Sequence, residues 1–218
     1  MREQFHDELR AVTDSLLEMT TIVSTAVRNA TTALVEADLA LAESVIAADE
    51  RLDQLQLDLE QRTVTLLARQ QPVATDLRVI VTSFKITMEL ERMGKLARHL
   101  AKLARRRYPA HVVPDELTGT MVEMGRVADL LVTELRTVLE TRDVDLAEKM
   151  ERDDDEMDRL HRHLFDVILA PGWSYGVEAA VDVTLCGRFY ERFADHAVTV
   201  GRRVVYLVTG EHLADDVG

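Results

Sequence analysis

The sequence predicts an all-α fold, a tandem repeat of two three-helix bundles built from six long helices. Three observations carry this reading. Gly and Pro number only 9 and 4 in 218 residues, too few for the frequent turns of a sheet protein. Apolar residues make up 47%, enough for a core, and the abundant Ala, Leu, Glu, Arg and Met lose little entropy in a helix. The second half of the chain then repeats the first in both plan and residues.

The first helix is read from a seam. Phe5, Val12, Met19, Ala26 and Ala33 recur every seven residues, with Leu9, Leu16, Val23 and Ala30 between them. The alternating spacing of four and three is that of a helix packed in a bundle. The pattern breaks at Glu36-Ala37-Asp38, where Asp38 is placed to cap a second helix running to about Gln70. Pro72 interrupts it, and a third helix is expected from about Thr75 to Arg107. Tyr108-Pro109 and Val113-Pro114 mark a boundary. A fourth helix follows over about 115–141. A fifth begins after Asp143 and ends at the Pro171-Gly172-Trp173 turn, and a sixth stops at Gly210.

The two halves, taken as 1–109 and 110–218, align residue by residue. Leu34, Asp38, Leu41, Ala42, Glu43, Asp49, Asp53, Leu55 and Leu59 match Leu139, Asp143, Leu146, Ala147, Glu148, Asp154, Asp158, Leu160 and Leu164 at a constant offset. Glu91, Arg92 and Ala97 match Glu191, Arg192 and Ala197 at an offset five residues shorter. A spacing held through two helices points to duplication of a three-helix unit.

Charge narrows the function classes. The net charge is −13, and it is unevenly spread: residues 1–109 hold 15 Lys+Arg against 16 Asp+Glu, so the acidity lies in the second half. An acidic body disfavours phosphate backbones, so no nucleic-acid partner is expected. The charged start MREQFHDELR lacks the apolar stretch of a secretory signal, and no segment reaches the ~20 apolar residues of a membrane span. A cytoplasmic protein without membrane insertion is the expectation. The single cysteine, Cys186, lies among apolar residues in VDVTLCGRF and reads as a small buried hydrophobe. Arg105-Arg106-Arg107 reads as cations suited to a helix C-terminus. Trp173 reads as a loop anchor packing between helices.

The repeated acids are the candidate site. Asp49 and Asp53, Asp154 and Asp158, and Glu191 and Asp195 are each four apart, so each pair shares one helix face. Carboxylates gathered from facing helices repel, and a raised pKa or a bound cation relieves them. Oxygen donors of this kind suit Mg²⁺, Ca²⁺, Mn²⁺ or iron. A solvated acidic surface is the competing reading, above all for the run Asp153-Asp154-Asp155-Glu156. Recurrence at equivalent places of both repeats favours the site.

Acidic pairs on the second and third helices of two repeats resemble the PhoU family, accessory regulators of phosphate transport. The resemblance covers essentially the whole chain. It includes ATDLRVIVTSFKITMELERMGKLA in the first repeat and YERFADHAVTVGRRVVYLVTGE in the second. It implies a non-enzymatic regulator that restrains the phosphate-starvation response when phosphate is plentiful. The implied partners are the ATPase subunit of a phosphate transporter and a sensor histidine kinase, with the regulator itself a homodimer. It also implies a metal ion, iron or alternatively zinc, magnesium or manganese. Asp154, Asp158, Glu191 and Asp195 would serve as one ligand set, with Asp49, Asp53 and Glu91 as its first-repeat counterpart.

The chain departs from the family pattern where ERMGK places Lys95 at the position of an acid. An ammonium has donors and no acceptor, so Lys95 is no ligand while charged. Glu91 followed by Lys95 is the favourable order for an intrahelical ion pair. The substitution counts against Asp49, Asp53 and Glu91 as ligands and points to an internal cation there. His196 follows Asp195 but projects about 100° away. His161 and His163 do not share a face. Arg92 and Arg192 read as ion-pair partners of acids. The alternatives are a metal-free helical adaptor with another partner and a carboxylate-bridged di-iron enzyme. The latter would require ExxH pairs that the acid-bearing second and third helices of each repeat lack.

Overall fold

The computed structural model describes residues 2–70, 72 and 74–211. Six helices follow in chain order: α1 (Arg2–Glu36), α2 (Leu39–Gln70), α3 (Ala74–Arg107), α4 (Asp115–Thr141), α5 (Val144–Ile168) and α6 (Gly176–Thr209). Helices α1, α2 and α3 pack against one another as one bundle, and α4, α5 and α6 as a second. The bundles join through α1 against α4 and α3 against α6. Both joints are antiparallel. Along α3 and α6, Glu89 meets His196, His99 meets Phe189 and Arg106 meets Asp182, one number rising as the other falls.

The element boundaries follow local chemistry. Ala37 takes φ 52 to end α1, and the Asp38 carboxylate then accepts from the Leu41 amide at 2.9 Å to start α2. The duplicate does the same. Arg142 takes φ 58, and Asp143 accepts from the Leu146 amide at 3.0 Å. Gly210, with φ 80, closes α6 in the left-handed conformation that glycine adopts without steric cost. Helix α5 stops at Ile168, three residues before Pro171. Trp173 is half-buried against the core and donates its indole N–H to the Gly176 carbonyl at 2.9 Å.

The α1 stripe is wider than the sequence seam. Val12, Leu16, Met19, Val23, Ala30 and Ala33 are buried as read, but so are Val27 and Leu34. A helix that touches α2, α3 and α4 must bury more than one seam. Where α1 crosses α4, a side chain on Gly125 would run into Thr31, whose atoms lie 2.5 Å from the place of a Cβ. Thr31 in turn shares a 2.7 Å hydrogen bond with the buried Tyr190 hydroxyl of α6. Cys186 is fully buried and its thiol pKa is pushed up by that burial. Among the described residues, no helix is long and apolar enough to cross a membrane.

The joint between the bundles is polar in two places. Glu89 is buried on α3. Its carboxylate accepts from Arg203 at 2.8 Å and pairs with His196 Nδ1 at 2.9 Å, both on α6, and with Arg92 at 3.3 Å. Further along, buried Asp182 of α6 receives Arg106 and Arg107. The arginines at the α3 terminus therefore pair across the joint rather than simply cap their own helix. These clusters fix the register in which the two repeats face each other.

Candidate metal centre

Each bundle places its acids along one seam, between its second and third helices. In the first bundle, Asp49 and Asp53 of α2 face Glu91, Lys95 and Arg98 of α3. The Lys95 ammonium donates to Asp53 Oδ1 at 3.0 Å and also to Glu91. The Arg98 guanidinium donates to Asp49, whose carboxylate is buried. Hydrogen bonds that Lys95 donates to Glu91 and then to Asp53 raise its pKa, so the ammonium is fixed in its charged form. The internal cation inferred from the ERMGK run is in place. Arg98 is a second one that the sequence reading missed. Its signal was there: at the repeat offset, Arg98 stands where the second repeat has Val198.

In the second bundle, Asp154 and Asp158 of α5 face Glu191 and Asp195 of α6 without such partners. Among the described residues, neither Asp154, Asp158 nor Asp195 forms an ion pair. Asp154 is partly buried and its pKa is raised from 3.8 to about 7. Burial is the first cause, followed by the charges of Asp195, Asp158 and Glu191. Burial also raises Glu191, as do the neighbouring acids, and Asp195 is raised chiefly by burial. All four acids thus act on one another across the α5–α6 seam. Among the described residues the direct counter-charge is Arg188, one turn before Glu191, whose guanidinium donates to both Glu191 oxygens. Arg188 was also missed. Its place three residues before Glu191 is the signal that would have found it.

The other residues singled out in the sequence fall elsewhere. His196 turns away from the acids to Glu89. The His161 ring lies against Phe165, 5.2 Å between centroids, and its pKa is lowered by burial and by Arg188. Arg92 pairs with Glu89 rather than with a motif acid. Among the described residues Arg192 makes no ion pair, and its charge counteracts the raised pKa of Asp195 from a distance.

The chemistry of the second set suits a hard divalent ion, with four oxygen-bearing side chains, mutual repulsion and little internal compensation. A cation there would reverse the repulsion that holds Asp154 at about 7. Among the described residues, no group of three or more His, Cys, Asp or Glu side chains stands in a geometry that holds an ion. Glu191 is drawn onto Arg188, and the acids of the two helices would have to draw together before they could share one.

The fold and these seams define a class, tandem three-helix-bundle proteins with an acidic seam in each repeat. The model of the PhoU domain matches residues 16–104 and again 121–204. The chain is 48% identical over 216 residues to the phosphate-specific transport system accessory protein PhoU homolog 1 of Mycobacterium leprae, covering 99% of this chain and 97% of that protein. It is 48% identical over 210 residues to PhoU homolog 2 of Mycobacterium tuberculosis, covering 96% and 99%. The crystal structure of PhoU from Pseudomonas aeruginosa matches with a TM-score of 0.84 at 29% identity, over 95% of this chain and 100% of that one. The chain belongs to the PhoU family.

Proposed function

We propose that this protein is a non-enzymatic regulator of phosphate uptake, acting in the cytoplasm to restrain the phosphate-starvation response when phosphate is plentiful. The observation that carries the reading is full-length similarity, over 96% or more of each chain, to proteins named as accessory to the phosphate-specific transport system. Its partners are the ATPase subunit of a phosphate transporter and a sensor histidine kinase, and it works as a homodimer.

Several features support action through surfaces. The one thiol is buried and kept protonated. Apolar side chains stand exposed at equivalent points of both repeats, Leu77 and Val81 on α3 and Val177 and Val181 on α6. Solvent-exposed apolar groups repeated in this way are a usual mark of protein contact.

Within this reading, Asp154, Asp158, Glu191 and Asp195 hold a metal ion, iron or another hard divalent cation, which neutralises the α5–α6 seam and stabilises the second bundle. Asp49, Asp53 and Glu91 hold none, because Lys95 and Arg98 already neutralise them.

The partner reading is tested by pull-down of the tagged full chain from lysates grown in high and in low phosphate, with mass-spectrometric identification. The transporter ATPase subunit and the histidine kinase are expected to be enriched over a tag-only control in at least one condition. Recovery of neither in both conditions contradicts the proposal.

A further inference from the structure

The two acidic seams are copies of one unit, so their differences can be read position by position. On the second and fifth helices the acid pair is kept: Asp49 and Asp53 correspond to Asp154 and Asp158. On the third and sixth, Glu91 corresponds to Glu191, but Lys95 stands for Asp195, Arg98 for Val198 and Met88 for Arg188. The first seam therefore sets three acids against two cations, and the second sets four acids against one.

Both first-seam cations are engaged. Lys95 bridges Asp53 and Glu91, so its ammonium sits between helices α2 and α3 where an ion shared by those acids would lie. Arg98 is three residues further along α3, almost one turn, and reaches the buried Asp49. In the second bundle the place of Arg98 is taken by Val198, a buried side chain that lines an open cleft together with Asp154, Asp155 and Arg202. A valine leaves Asp154 without the partner that Asp49 enjoys.

We propose that Lys95 and Arg98 are built-in cations that close the first repeat to divalent ions, and that these two positions alone decide which repeat takes an ion from solution. This rests on the metal reading of the second repeat but is separable from it. A cation tethered to the backbone meets its acids at high effective concentration and without dependence on supply. The first repeat is thereby constitutively neutralised, and only the second responds to the ion content of its surroundings. The duplication has produced one fixed half and one responsive half.

Equilibrium dialysis of the full chain against Mn²⁺, an oxygen-preferring ion, tests this by stoichiometry. K95D/R98V, which writes the second-repeat residues into the first, is expected to bind one more equivalent of Mn²⁺ per chain than the native protein. K95D alone leaves Arg98 on the buried Asp49 and so protects the fold. It is expected to gain the same equivalent at weaker affinity. The reverse exchange, D195K/V198R, is expected to lose the native equivalent and to unfold at a temperature that added Mn²⁺ no longer raises. If native chain binds no Mn²⁺ while the first-repeat variants gain it, the role of Lys95 and Arg98 stands and the second-repeat reading falls. If K95D is folded by circular dichroism and gains no Mn²⁺, or if the native chain binds Mn²⁺ and D195K/V198R binds just as much, the proposal is overturned.

Discussion

Replacing Asp154 with Asn is expected to stabilise the metal-free chain by about 2–3 kcal/mol at pH 7.5, and to change it little near pH 4. The sign follows from the raised pKa. Folded Asp154 keeps its proton up to about pH 7, against 3.8 for the free group, because burial and then Asp195, Asp158 and Glu191 oppose its charge. The folded state therefore binds more protons than the unfolded one between these values. Its stability is full below pH ~4, falls as pH rises towards 7, and then levels off. At ~1.4 kcal/mol per pKa unit the full displacement corresponds to roughly 4 kcal/mol. Solvent access at the rim of the seam reduces this. Asn keeps the shape and removes the charge. Urea unfolding of both proteins in chelator, from pH 4 to 8, gives the difference directly. A stability difference that stays flat across this range contradicts the account. A saturating hard divalent cation is expected to abolish the native loss, since it binds the ionised carboxylates, and to do little for Asp154→Asn.

The second large effect lies at the joint between the repeats. Glu89→Ala is expected to cost about 2–4 kcal/mol at pH 7. Burial alone would raise the Glu89 pKa, but hydrogen bonds from His196 and Arg203, with their charges, overcome it and bring the group to about 2. Removing the carboxylate leaves Arg203, His196 and Arg92 around a vacated anion, and the Arg203 Nε is already buried without a partner. Breaking a fully buried pair costs ~3–5 kcal/mol, and the arginines recover part of this by reaching water. With a depressed pKa, the contribution of Glu89 is complete above pH ~4.5 and is lost as pH falls towards 2. The gap between native and variant is therefore expected to narrow over that interval. Denaturant unfolding at pH 7 and at pH 2.5 measures it. A gap under 0.5 kcal/mol at pH 7, or an equal gap at both, contradicts this role of the cluster.

The sequence reading succeeded at the helix starts and along single helix faces, where neighbours along the chain decide the outcome. Asp38 and Asp143 cap their helices because an N-cap is a local bond. The Glu91–Lys95 pair is one turn of helix, and the acids share a seam because both members of each pair lie on one face. Duplication added what local spacing lacks, since a feature repeated at a fixed offset must fit the fold twice.

Contacts between helices distant in sequence were the ones missed. Periodicity tells which residues share a face but not which faces meet. Glu89 has no acid at its offset in α6, where Phe189 stands, and nothing local pairs it with His196 107 residues away. The same holds for Asp182 and the arginines at the end of α3, which as a local run looked like a response to the helix dipole. Arg98 and Arg188 were hidden for another reason. Agreement between the copies marks what they share, and these two are where the copies disagree.

The regulatory claim is tested most directly by a transcriptional reporter for a phosphate-scavenging gene, followed in phosphate-rich medium. The account predicts that deleting every copy of this gene turns the reporter on, and that restoring the native chain turns it off again. A reporter that stays silent in the deletion strain, while still responding to phosphate starvation, would contradict it.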